Sequence, residues 1–372
     1  MSHFREPDMR KKTHVAVIFN EPTVNTQSGR KYISETGTIT GVSSREEILA
    51  AAQQGAIDLS EVGVVEERQQ VQEALQRVGY KASLFNMNGE IQRLIDFLNE
   101  KQPDVIFNLC ESVGNESIHE MHVAGVYELM GIPYTGASAI ALGTCLNKAR
   151  TKEILHYHGI PTPRFRVIKN LNELVADDFD LTFPLIVKPS REDASVGIDA
   201  GSIVESLAAL RRRVRMVFQN YDQPALVEEY IEGRELNIAI IGNKRPLPLP
   251  ISEIDFSGLP EKYPRIVTYN AKWMEGSDEY TGTVGRCPAP LEPETERLVR
   301  EYALKAYRIM GGRDYARIDL RLNRKGRPFV LEVNPNPDIS DDAGFARSAR
   351  TYGLGFDEMI SRIVECALER MP

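Results

Sequence analysis

Residues 316–337 read ARIDLRLNRKGRPFVLEVNPNP, and this stretch limits the possible folds of the chain more tightly than any other. Two runs, 316–322 and 328–333, alternate apolar and polar residues as half-buried strands do. Lys325-Gly326 supplies the turn between them, the glycine taking the positive φ that a tight hairpin needs. With that turn centre Asp319 faces Glu332 across the ribbon and Arg317 faces Asn334. Side chains alternate along a strand, so these four project from one surface. Ile318, Leu320 and Leu322 point to the other surface, opposite Val333, Leu331 and Phe329, and make a core face. Like charges across a ladder repel, so a positive group belongs on the acidic surface. Oxygen ligands at this density suit Mg²⁺, which binds through one or two carboxylates plus substrate phosphates. The plain alternative is a solvated hairpin whose acids pair with Arg317 and Arg321.

At 372 residues the chain is long for a single core, and two or three domains are expected. A net charge of −8 argues against broad electrostatic binding of nucleic acid or of an anionic membrane, and leaves room for a local basic pocket. No apolar run approaches the ~18 residues of a membrane-spanning helix. Residues 1–12, MSHFREPDMRKK, lack the apolar segment of a signal peptide. Cys110, Cys145, Cys287 and Cys366 form no C-x-x-C pair and read as reduced thiols of a cytoplasmic protein.

Taken in order, 13–20, 82–86 and 104–109 read as strands, separated by helices over 44–53, 66–78 and 89–99, with a polar loop over 22–43. This alternation predicts a parallel sheet with helices on its faces. Function is expected on the loops that follow the strands, at Asn20-Glu21 and at Asn108, Glu111 and Glu116. His119 and His122 share a helix face with Glu120 between them, and without further ligands they read as a satisfied helix surface. Two helices fill 137–158, and the stiff GIPTP at 159–163 lies near a first domain boundary. A strand over 183–189 runs into the loop SREDASVGIDAG. A helix over 204–218, strands over 225–231 and 236–241, and a strand and loop reaching Trp273 follow. Next come a charged loop with a strand-like piece, then a helix over 293–310 that aligns Val299, Ala303, Ala306 and Met310. A helix over 356–368 closes the chain.

Neither G-x-x-x-x-G-K-[ST] nor G-x-G-x-x-G occurs, so the two common phosphate cradles are absent. Lys148, Lys188 and Lys272 are the candidates to replace them, each also readable as a surface lysine. Lys188 ends an apolar strand, and Ser195-Val196-Gly197 in the loop after it can bring backbone N–H groups close to phosphate oxygens. In VEEYIEGRE (227–235) an extended backbone suits an adenine edge, with Glu228 and Glu235 as acceptors for its amino group and for ribose hydroxyls. Two plain strands with a polar turn are the alternative.

The order of these pieces resembles the ATP-grasp superfamily and, within it, the D-alanine–D-alanine ligase family. The matching segments are ELMGIPYTGAS (128–138), NKARTK (147–152), FPLIVKPSREDASVG (183–197), LVEEYIEGRE (226–235), YNAKW (269–273), ARIDLRL (316–322) and FVLEVNPNPD (329–338). The resemblance implies an α/β ATP-grasp fold of three domains: a Rossmann-like N-terminal substrate domain over 1–136, an α+β lid over 137–226, and a C-terminal domain with the metal site over 227–372. It implies ATP and Mg²⁺, with Mn²⁺ as a substitute. Lys148 and Lys188 would contact phosphates and Lys272 the γ-phosphate, with Ser195 in the lid loop. Glu228, Glu229 and Ile231 would frame adenine and Glu235 the ribose. Asp319, Glu332 and Asn334 would hold the metal, and Arg317 would stabilise the charged intermediate. The chemistry implied is phosphorylation of a carboxylate followed by attack of an amine on the acyl phosphate. Small-molecule carboxylate and amine substrates and a homodimer come with it.

The amino-acid half departs from the family. The family's lid-loop Ser is Ala194 here, its Tyr after the third lysine is Trp273, and its first-strand Glu has only Glu21 as a substitute. The Gly and Ser that receive the second D-alanine's carboxylate are Asp338 and Ala343. Glu111 is a further candidate substrate contact. The expected activity is therefore a carboxylate–amine ligase acting on substrates other than two D-alanines. Asp338, Asp341 and Asp342 favour a cationic acceptor over a simple α-amino acid. A true D-alanine–D-alanine ligase and a nucleotide-binding regulatory protein without turnover are the other readings.

Overall fold

A computed structural model describes residues 10, 12–20, 23–26, 29–32, 63–114, 116–174 and 179–371. Glu21, the helix expected over 44–53 and most of the insertion over 22–64 lie outside the described residues. At the N-terminus β1 (His14–Phe19) lies between β4 (Lys81–Asn86) and β5 (Val105–Leu109), parallel to both. A separate antiparallel ribbon joins β2 (Thr23–Thr26) to β3 (Gly29–Tyr32). The central strand is apolar throughout because both its faces are covered. Val15 and Val17 pack with α1 (Gly63–Arg77) in one core. Ala16 and Ile18 pack in another core with α2 (Ile91–Lys101) and α3 (His119–Met130).

Two capped helices follow. Ser138 accepts from the Ala141 amide to start α4 (Ala139–Leu146). Asn147 ends that helix and caps the next, α5 (Lys148–Tyr157), by accepting from the Arg150 amide. Beyond the connector, β6 (Phe165–Ile168), β9 (Ala225–Glu229), β7 (Leu185–Pro189) and β8 (Ile203–Val204) form a four-stranded antiparallel sheet in that order. The helix α6 (Leu207–Tyr221) covers it through Leu210, Val214 and Val217. The chain leaves this sheet after Glu229 and enters the next at Gly233, so the expected boundary at 226/227 falls within β9.

The second large sheet runs β13 (Val284–Arg286), β12 (Ser252–Asp255), β10 (Gly233–Ile241), β14 (Tyr315–Asn323), β15 (Pro328–Asn334), with β11 (Leu247–Pro248) beside β10. On one face Leu236, Ile238, Ile240, Ile318 and Leu320 meet Val299, Ala303 and Ala306 of α9 (Pro293–Ile309). At 269–273, where a strand and loop were expected, a short helix α7 (Tyr269–Trp273) forms, because Thr268 caps it by accepting from the Ala271 amide. A second short helix, α8 (Asp278–Thr281), follows. After β15 the chain adds α10 (Gly344–Tyr352), which was not expected, and α11 (Phe356–Leu368). Both join the core that holds Val15 and Val17: α11 packs on α1 and β5, and α10 on α11 and β10.

The hairpin departs from its expected register in one part and keeps it in the other. The Asn323 amide donates to the Arg327 carbonyl, so three residues, not two, make the turn, with Gly326 at φ +74°. Near the turn Leu320 consequently faces Val330, and Leu322 faces Pro328. An extra residue at Leu331, a β-bulge, then restores the expected pairing of Asp319 with Glu332 and Arg317 with Asn334. The core face therefore carries the expected Val333 together with Val330, both buried, in place of the expected Phe329 and Leu331.

Candidate active site

The polar face of the hairpin is built from the alternation of β14 and β15 and lies opposite the α9 side. Arg317 grips Asp319 with both ends of its guanidinium, Nε to Oδ1 at 2.8 Å and Nη2 to Oδ2 at 2.9 Å. Asn334 Nδ2 donates to Asp319 Oδ2 at 2.9 Å. Glu332 lies 3.1 Å from the Lys148 ammonium. Arg321 takes neither hairpin acid. It is buried, donates to Glu235 Oε2 at 2.7 Å and to the carbonyls of Ile231, Gly233 and Arg265, and stacks on Tyr230. The alternative pairing of both arginines with the hairpin acids is thus half realised.

Lys148 contacts Glu332, and Lys188 and Lys272, from separate segments, act on it through charge. Burial opposes its charge, but Lys148, Lys188, Lys272 and Arg317 outweigh it and hold its carboxyl well below the usual range. Lys148 begins α5, where the helix amides also favour an anion. It is nearly buried, and its ammonium joins Glu332 to Asp193 Oδ1 at 2.6 Å. Burial works against that ammonium too, and the two carboxylates push its pKa up. Lys188, at the end of β7, is buried 3.1 Å from Glu228 Oε2. Lys272, on α7, is pulled below its ordinary value by burial and by Arg317.

The loop after β7 closes over this cluster. Ala194 and Ser195 both hold positive φ, 52° and 63°, a conformation that costs non-glycine residues free energy and marks a constrained loop. Links to other segments tie it down. The Trp273 indole donates to the Ala194 carbonyl at 3.0 Å, Ser195 Oγ to the Val267 carbonyl at 3.1 Å and the Tyr269 amide to the Ile198 carbonyl at 2.9 Å. Lys148 to Asp193 is another. Ala194 and Trp273 are thus joined through a backbone carbonyl.

Glu228 is buried with Lys188 on one oxygen and Lys152, 3.1 Å away, on the other. Its carboxylate is thus engaged by two lysines. The Glu229 Oε1 accepts from the Thr182 amide at 2.9 Å and from Arg164 at 3.2 Å, and the Ile231 carbonyl accepts from Arg321. Glu235 has one oxygen on Arg321, and burial raises its pKa.

Of the candidate substrate contacts, Trp273 lies at the lid loop, while Glu111 and Asp338 are exposed near Glu67 on α1. Burial pushes the pKa of Glu67 well up, and Asp338 and Glu111 add to the shift. Glu67 itself accepts from the Ile339 amide at 3.1 Å. Asp338 accepts from Ser340, and Asp341 is taken by Arg350 at 2.6 Å. Asn20 and Asn108 serve the fold, accepting from the Gly89 amide and from Tyr127 and the Cys110 amide. The His119 ring donates to the Val113 carbonyl at 2.9 Å.

Lys152, Asp193, Glu67 and Glu120 were missed from the sequence. Lys152 had a signal: it follows Lys148 by four residues on one helix, so both fall on the same face. Asp193 and Glu67 had none, since only the folded chain brings them to the cluster. Glu120 accepts from Asn336 at 2.9 Å across the domain junction.

Asp319, Glu332 and Asn334 present oxygen donors only, too few for a closed protein cage. That set fits Mg²⁺, which keeps waters and phosphate oxygens in its shell, and it admits Mn²⁺. Among the described residues no group of three or more His, Cys, Asp or Glu forms a self-sufficient metal site.

A family model described as "D-ala D-ala ligase C-terminus" matches residues 154–365. An uncharacterized protein of Sinorhizobium fredii, y4sG, is 36% identical over 266 residues, covering 72% of this chain and 75% of that protein. A D-alanine–D-alanine ligase of Nitrosomonas europaea is 33% identical over 304 residues, covering 81% of this chain and 91% of its own. Among solved structures, the D-alanine–D-alanine ligase of Bacillus anthracis complexed with ATP superposes with a TM-score of 0.66 at 22% identity, covering 96% of this chain and 98% of its own. The fold is therefore that of the ATP-grasp ligases, with a Rossmann-like N-terminal domain.

Proposed function

The chain belongs to the D-alanine–D-alanine ligase family of ATP-grasp enzymes, and from that premise we propose that it joins a carboxylate to an amine other than D-alanine. It is an ATP-dependent ligase that uses Mg²⁺. The observation that carries the reading is the convergence of Lys148, Lys188, Lys272 and Arg317 on the Asp319–Glu332 face. Family membership and this cation set together weigh against a regulatory protein without turnover.

Asp319, Glu332 and Asn334 would hold Mg²⁺, which neutralises charge on the phosphate oxygens during transfer. Lys148 and Lys188 orient the phosphates of ATP, and Lys272 meets the γ-phosphate. Arg317 stabilises the negative charge that gathers as the substrate carboxylate takes the phosphoryl group. The amine then attacks the acyl carbon, and inorganic phosphate leaves. The lid loop, pinned by Trp273 and Lys148, excludes water that would otherwise hydrolyse the acyl phosphate.

Two features favour a substrate pair different from two D-alanines. Ala194 and Trp273 replace the side chains that the family sets over its amino-acid substrates. The exposed carboxylates of Glu111 and Asp338, near buried Glu67, disfavour a second carboxylate and suit an ammonium-bearing acceptor. Among the described residues no helix is long and apolar enough to cross a membrane. A cytoplasmic homodimer working on small molecules accompanies this reading.

A phosphate-release screen with ATP, Mg²⁺ and paired libraries of carboxylates and amines tests it. Turnover is expected with a cationic amine acceptor and little with D-alanine alone. Saturable turnover on D-alanine alone, with no better acceptor in the library, would make the protein a D-alanine–D-alanine ligase with altered contacts.

A further inference from the structure

Lys152 is fully buried, a rare position for a lysine, and nothing in the reaction outlined above uses it. It lies on α5 one turn after Lys148. Its ammonium donates to Thr162 Oγ1 at 3.0 Å and lies 3.1 Å from Glu228 Oε1. That oxygen accepts no well-directed hydrogen bond, so Lys152 acts on Glu228 through charge more than through bond direction. The other oxygen of Glu228 faces Lys188 at 3.1 Å. Two ammoniums thus share one carboxylate in a space where all three are buried.

The charge count gives this arrangement a purpose. A Lys188–Glu228 pair alone is neutral, and its carboxylate would hold Lys188 back from a phosphate. With Lys152 present, the trio carries one net positive charge, and Lys188 shares its carboxylate with a competitor. We propose that Lys152 is a positioning residue for nucleotide binding, offsetting the charge of Glu228 so that Lys188 is free to meet a phosphate. The proposal rests on the ATP-ligase reading and deepens it.

The groups that face Lys152 are Glu228 on β9, Lys188 on β7 and, farther off, Glu332 on β15. Burial is the largest influence on it, and its pKa is pulled down to about 8. Raising the pH past about 8 therefore removes its charge and returns the Lys188–Glu228 pair to neutrality.

Titration calorimetry with MgADP separates the possible outcomes. At pH 7, Lys152→Met is expected to bind on the order of tenfold more weakly than wild type, the effect of one charge acting across about 10 Å at an effective dielectric constant of about 20. Lys152→Arg, which keeps the charge, should bind within about twofold of wild type. In assays, Lys152→Met should raise KM for ATP more than it lowers kcat. Above pH 8 the wild-type affinity should fall toward that of Lys152→Met while Lys152→Arg stays level. Equal affinity of Lys152→Met and wild type would overturn the proposal. So would an equal loss in the Arg and Met variants, the mark of a merely structural role. If Lys152→Met does not fold, the comparison of wild type with Lys152→Arg from pH 7 to 9.5 decides, and identical profiles overturn the proposal. Failure of the wild type itself to bind MgADP would instead count against the ligase reading.

Discussion

At the scale of single residues, the chemistry of the cleft is set by how few acids hold how many cations. Glu332 faces four cations, and Asp319 is clamped by Arg317 and Asn334. Because its folded-state pKa is depressed, ionised Glu332 stabilises the folded protein, fully so above the unfolded carboxylate value of about 4.3. That contribution is lost as pH falls through the lower folded value. Urea titrations of the metal-free protein should show Glu332→Gln less stable than wild type at pH 7 by on the order of 2 kcal/mol, the scale of a charged hydrogen bond lost beside a buried partner. The gap should narrow as pH drops below about 4.3, and a gap independent of pH would mean the four cations do not act on this carboxyl. The hairpin acids were legible from sequence because strand alternation is local. Asp193 and Glu67 were not, because their relation to Lys148 and Asp338 exists only after the lid loop and α1 have packed.

Among elements, the loop after β7 and the hairpin decide the site's precision. Gly197 sits at φ +74°, and a Cβ placed there would lie 2.6 Å from Pro189 Cγ and 3.0 Å from the Tyr221 ring. Gly197→Ala should therefore displace the loop that carries Asp193, Ala194 and Ser195. The expected result is MgADP binding weaker by on the order of tenfold, since one poorly placed binding element costs about 1.4 kcal/mol. The melting temperature should move little because the loop lies outside the cores; unchanged nucleotide affinity would show that the loop's backbone does not serve binding. In the hairpin, a three-residue turn shifts the pairing by one and the bulge at Leu331 shifts it back. A turn centred on Lys325-Gly326 placed Asp319 opposite Glu332 as observed but mistook the core face near the turn. A glycine marks that a turn occurs, whereas its length depends on how Val330 and Val333 fill the space beneath α9.

Across the whole molecule, the C-terminal helix is the brace. From the end of the chain, α11 packs on α1 and the first sheet, with Met359, Ile363 and Val364 in the same core as Val15 and Val71. Arg77 binds Asp357 through two 2.9 Å bonds, and Arg370 fastens Asp314 to the Tyr134 carbonyl. Ile363→Ala should cost about 2–5 kcal/mol, as expected for emptying a fully buried site. Scanning calorimetry should show the transition of the N-terminal sheet move together with that of the six-stranded sheet. Separate transitions, only one of them shifted, would show that the brace does not couple them. The amino-acid sequence by itself determined the alternation of strands and helices, the pair of helices over 137–158, and the single surface shared by Arg317, Asp319, Glu332 and Asn334. These follow from backbone periodicity and local hydrogen bonding, which act over a few residues. Only the tertiary structure decided that Lys148 contacts Glu332 while Lys188 and Lys272 act on its charge, that Glu228 serves two lysines, and that Arg321 turns to Glu235. Charge pairing between segments far apart in the chain depends on which surfaces burial brings together, and no local pattern encodes that choice.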